Sequence, residues 1–131
     1  LRKQREHLLD LADADSAVVD ELFSTTGGET GQPAVKRSIG IPLTIAVACG
    51  TVLELAVEVT ATGNRNALAD AGTGVFLVHA ALDAALFTVR TNTDSLTDQA
   101  FVDDVEQRAA EIELRADDAH EQAMQRVEER I

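Results

Sequence analysis

Apolar residues recur at helical spacing along most of the chain. In Leu1–Phe23 they form one stripe through Leu8, Leu11, Val18 and Leu22, which predicts an amphipathic helix. Asp15 falls on the same stripe. It is either solvated where the stripe is partly exposed or turned into a pocket, because a carboxylate on an apolar face is costly to bury without a partner. Asp13 lies about 160° away around the helix, so the two acids form no close dyad. Residues 24–32, STTGGETGQ, read as a loop. Pro33 suits the first turn of a second helix, which runs to about Thr60 and stops near Gly63. Gly40 and Pro42 predict a kink or a restart early in it. No charge occurs from Ser38 to Leu53, and Glu54 and Glu58 follow. That run is shorter than the ~20 residues of a membrane span, which predicts a buried core helix.

The third helix is predicted over Asn66–Thr91. Val75, Leu82, Leu86 and Val89 line one face, and Phe76, Leu77 and Val78 widen it, so a central position in the bundle is expected. Its start is crowded with small residues. His79 and Asp83 stand at i and i+4, the spacing of a surface ion pair more than of a catalytic one. Ser95-Leu96-Thr97-Asp98 fits a capping box ahead of a last helix. The seam of that helix is Val102, Val105, Ala109, Ile112, Ala116, Ala119, Ala123, Val127 and Ile131, close to a heptad repeat. No alternating strand pattern occurs. The predicted class is all-α, one domain over residues 1–131, a bundle of at least four long helices.

Composition narrows the partners. The chain has 131 residues, 45% hydrophobic, with a net charge of -12. So acidic a surface disfavours phosphate backbones and anionic membranes, and neither nucleic acid nor a membrane is expected as a partner. Lysine is scarce and aromatics make up 3%, a pattern that fits adaptation to high salt. The one cysteine, Cys49, sits in an apolar run and fits a reducing, cytoplasmic setting. The sequence starts without methionine and reads at once as helix, so a preceding N-terminal segment is expected.

No His or Cys cluster with metal spacing, phosphate loop or nucleophilic triad stands out. What remains are carboxylates and amides on otherwise apolar helices: Asp15, Asn64, Asp70 and Asn92. Read alone, they fit a helical pocket for a neutral or cationic heterocycle, since a carboxylate accepts paired hydrogen bonds or stabilises a developing cation. Turn, cap and helix-dipole roles are the competing readings of Asn64, Asn92 and Asp70.

Five short motifs follow one another: Asp13-Ala14-Asp15, Ile41-Pro42-Leu43, Gly63-Asn64 with Ala69-Asp70, Thr88-Val89-Arg90-Thr91-Asn92, and Thr97-Asp98-Gln99-Ala100-Phe101. In order and spacing they resemble the formiminotransferase-cyclodeaminase C-terminal family of formimidoyltetrahydrofolate cyclodeaminases and methenyltetrahydrofolate cyclohydrolases. The resemblance implies a homodimer acting on a tetrahydrofolate derivative as substrate, with no metal and no tightly bound cofactor. It implies Asp70 as the carboxylate nearest the chemistry and Asp15 as a second acid. Gly63, Asn64 and Asn92 would bind substrate. Thr88 stands where the family has Asn, and Ala69 where it has Ser. The alternative is a catalytically inactive helical dimer module that binds folate or a protein partner.

Overall fold

The computed structural model describes residues 33–94 and 96–131. Three long helices account for nearly all of them: α1 (Pro33–Thr62), α2 (Leu68–Thr93) and α3 (Gln99–Arg130), with a 3-10 turn (Arg65–Ala67) leading into α2. No strand occurs among the described residues. The all-α class is therefore observed. The fourth helix expected over Leu1–Phe23 lies outside the described residues, and three helices, not four or more, make up the described bundle.

Each helix packs on the other two. The connections after α1 and α2 are short, which forces up-down-up order. Cross-helix pairs agree: Ser38 with Asn92 across α1 and α2, Arg90 with Glu113 across α2 and α3. The core is the shared interior of the triangle. Leu43, Ala46 and Leu53 from α1, Leu82, Leu86 and Val89 from α2, and Val105, Ala109, Ala116 and Ala123 from α3 are fully buried. The alanines of α3 hold the place that bulky residues take on the other helices, so α3 lies close against its neighbours.

Four expectations change in detail. The helix containing Gly40 and Pro42 does not restart there but runs on from Pro33 to Thr62. The N-cap of α3 is Asp98, whose side chain accepts from the Phe101 N–H at 3.2 Å, and not Ser95. The seam of α3 begins at buried Phe101; Val102 is only half-buried and Ile131 is exposed. The third predicted helix, α2, is not central among the described residues. Its outer side carries Phe76, Leu77 and Phe87, which are 55%, 67% and 71% exposed. With three helices around one axis, every helix keeps an outward face, and on α2 that face is apolar. By length and composition alone, Ser38–Thr62 and Arg65–Thr93 are also long and apolar enough to cross a bilayer.

Candidate functional site

The turn between α1 and α2 is built by contacts from both its own residues and the far end of α3. Gly63 N–H donates to the Val59 carbonyl at 2.7 Å. A Cβ at Gly63 would collide with that same carbonyl oxygen, so the close approach requires glycine although its φ is not positive. Asn64 opens the 3-10 turn, its side-chain oxygen accepting from the Asn66 N–H at 3.0 Å. Arg130, in the last turn of α3, donates to the Thr60 carbonyl and, at 2.8 Å, to the Gly63 carbonyl. Arg65 returns the contact by donating to the Ile131 carbonyl at 3.2 Å. Two arginines thus satisfy carbonyls at the C-terminal ends of two neighbouring helices, where orphan acceptors and the negative dipole end coincide.

Asp70 follows in the first turn of α2, exposed, with no hydrogen bond or ion pair among the described residues. Gly63, Asn64 and Asp70 therefore share one end of the bundle. Asn92 does not share it. It lies about 33 Å away along α2, at 1.5 Å of rise per residue. There its side-chain amide donates to the Ser38 carbonyl of α1. In a regular helix that carbonyl accepts from residue 42, but residue 42 is proline and has no N–H. Asn92 supplies the missing donor. Asp15 lies outside the described residues.

A second cluster joins α2 to α3 and was not legible as a unit in the sequence. His79 Nε2 lies 2.8 Å from Asp117 Oδ1, and Nδ1 lies 3.4 Å from Asp83 Oδ2. The i,i+4 pair expected for His79 and Asp83 is therefore present. The His120 ring sits 4.4 Å from the His79 ring and 5.4 Å from Phe76, centre to centre. Burial first, and then the charge of His79, hold the His120 imidazole below its ordinary range against the opposing pull of Asp117 and Asp83. No group of three or more His, Cys, Asp or Glu among the described residues is arranged to hold a metal ion. Further along, Arg90 donates to both carboxylate oxygens of Glu113 at 3.0 and 2.7 Å and reaches Glu106 at 3.4 Å. The hydrogen bonds from Arg90 hold the Glu113 carboxyl below the usual range. Burial pushes the half-buried Cys49 thiol up, which disfavours the thiolate.

On the side away from α2, a cavity of about 320 Å³ lies between α1 and α3, floored by Gly50 and Ile112 and edged by Arg108 and Glu111. Glu54 and Arg115 close one side of it, 2.6 Å apart. Gly63, Asn64, Asp70 and Asn92 do not line this cavity.

The sequence profile of the formiminotransferase-cyclodeaminase family matches residues 1–111. A methenyltetrahydrofolate cyclohydrolase of Methylorubrum extorquens is 37% identical over 82 residues, covering 63% of this chain and 38% of its own length. The chain thus aligns with well under half of that relative. No solved structure matches.

Proposed function

Because the chain belongs to the formiminotransferase-cyclodeaminase family, we propose that it acts on a one-carbon unit carried by a tetrahydrofolate. The reaction is either water addition to the 5,10-methenyl cation, giving the 10-formyl form, or closure of the 5-formimidoyl form with loss of ammonia. The observation that carries this reading is the family match, which spans Asp15, the Gly63-Asn64 turn, Asp70 and Asn92. Both reactions pass through a tetrahedral carbon between two nitrogens. Both call for a negative group beside an amidinium-like cation and for a proton acceptor. Asp70 is available for either task, since no partner among the described residues occupies its carboxylate. Asn64 takes the role of shaping the turn that presents Asp70. Asn92 enters this reading as a support of α1 more than as a ligand, because its amide donor is committed to Ser38.

The test follows the loss of methenyltetrahydrofolate absorbance, and ammonia release from the formimidoyl form. Asp70→Asn is expected to lower kcat by at least about a hundredfold while leaving the fold intact by circular dichroism. Full activity in that variant removes Asp70 from the mechanism.

The second reading, an inactive module, draws on two positions. The Thr88 hydroxyl is turned back onto the Ala84 carbonyl of its own helix at 2.9 Å, and Ala69 has no polar side-chain atom. On that reading a folate raises the melting temperature and no turnover is detected.

A further inference from the structure

The cavity between α1 and α3 carries an arginine that no described acid neutralises. In a chain of net charge -12, cations have many possible partners. Arg90, Arg115 and Arg126 each meet a carboxylate. Arg65 and Arg130 donate to main-chain carbonyls. Arg108 is half-buried on the edge of the cavity and makes no hydrogen bond or ion pair among the described residues.

The register of the two helices explains why. In up-down-up order α1 and α3 run parallel, so a step of seven residues advances both by the same distance, about 10 Å. Arg115 meets Glu54. Seven residues earlier on each helix, Arg108 comes level with Val47, inside the stretch of α1 from Ser38 to Leu53 that carries no charge. Glu111, the acid one turn further along α3, accepts from the Gln107 amide at 3.2 Å and makes no ion pair with Arg108. Beyond these charges the lining is apolar. Val47 and Ile112 stand beside Gly50, which puts no side chain into the floor, and the exposed Leu114 extends the apolar wall to the rim. At about 320 Å³ the cavity is large enough for a small molecule, and apolar walls with one placed charge are the usual make-up of such sites.

We propose that this cavity binds a small organic anion, a carboxylate on a short apolar body. The carboxylate takes two parallel N–H donors of the Arg108 guanidinium. The body lies over Gly50 against Val47 and Ile112. Attraction to Arg108 exceeds its value in open water, because the guanidinium is half-buried beside an uncharged wall. Glu54 and Glu111 at the margin disfavour a second negative charge, so a monocarboxylate fits better than a phosphate or a dicarboxylate. Val47 stands about 22 Å along α1 from Thr62, next to the Gly63 turn, so the site is separate from Asp70 and does not depend on the folate reading.

Titration of the isotope-labelled full chain with benzoate, followed by NMR, tests it. Saturable amide shifts centred on Gly50, Thr51 and Ile112 are expected. An acidic chain repels anions over most of its surface, so diffuse attraction does not imitate this result. Benzamide, which has no charge, and acetate, which has no ring, are each expected to bind at least about tenfold more weakly. Arg108→Gln is expected to weaken benzoate binding by at least about tenfold, and Arg108→Lys by less. Leu114→Ala is expected to weaken it about threefold. Arg126→Gln, near the far end of α3, is expected to leave it unchanged. Circular dichroism checks that each variant is folded.

The absence of saturable benzoate binding overturns the proposal. So do benzamide binding as tightly as benzoate, shifts centred away from the cavity, or an Arg108→Gln protein of unchanged affinity. Turnover of a tetrahydrofolate is measured separately, so failure of the anion site and failure of the enzymatic reading are told apart.

Discussion

Asn92 and Pro42 answer each other across two helices. The proline leaves the Ser38 carbonyl without its helical donor, and the asparagine provides one. Asn92→Ala is expected to cost about 1 kcal/mol in chemical denaturation. In a Pro42→Ala background residue 42 regains its N–H, and the same change is expected to cost less. Additive effects in this double-mutant cycle would separate the two residues. Two glycines give an opposed pair of outcomes. Gly74 has nothing within 4 Å of where a Cβ would stand, so Gly74→Ala is expected to stabilise α2 by about 0.5–1 kcal/mol. Gly63→Ala drives a Cβ into the Val59 carbonyl and is expected to lower the melting temperature.

The contact between α2 and α3 carries three of the four ion pairs between helices among the described residues and sets a pH dependence at the level of elements. His120 is held below its ordinary range, so folding favours its neutral form. Its contribution is present in full above the unfolded value of about 6.5 and is lost as the pH falls below that toward the folded value. Stability is therefore expected to decline as pH falls below about 6.5, and His120→Gln to flatten that decline in thermal melts. Glu113, held low by Arg90, acts in a more acidic window. Its contribution is present above the ordinary carboxylate range and is lost as pH falls through and below it. Both partners are more than a third exposed, so solvent screening keeps that contribution small.

For the molecule as a whole, charge and shape act together. Self-repulsion at a net charge of -12 is screened within ~3 Å at 1 M salt but reaches ~30 Å at 0.01 M. The melting temperature is expected to rise steadily over that range of sodium chloride. A flat profile would mean that the acids of α3 and its neighbours do not strain the fold.

Apolar spacing by itself determined the three helices, because each carries a stripe at helical period and local chemistry marks some of the bounds: Pro33 at one start and Gly63 at one stop. The heptad seam of α3 was legible for the same reason, residue by residue from Val105 to Val127. The resemblance in five motifs, each a few residues long, was likewise carried by the linear order of the chain. What only the tertiary structure decided concerns groups far apart in sequence. Spacing put Asp70 and Asn92 on one helix but assigned them to one site; the rigid rise of α2 separates them, and Pro42 explains what Asn92 does. Periodicity alone made α2 central, since a helix apolar all round looks the same whether its second face meets this chain or another. His79 with His120, Arg130 over the Gly63 turn and Glu54 with Arg115 became partners through packing, which no local pattern records.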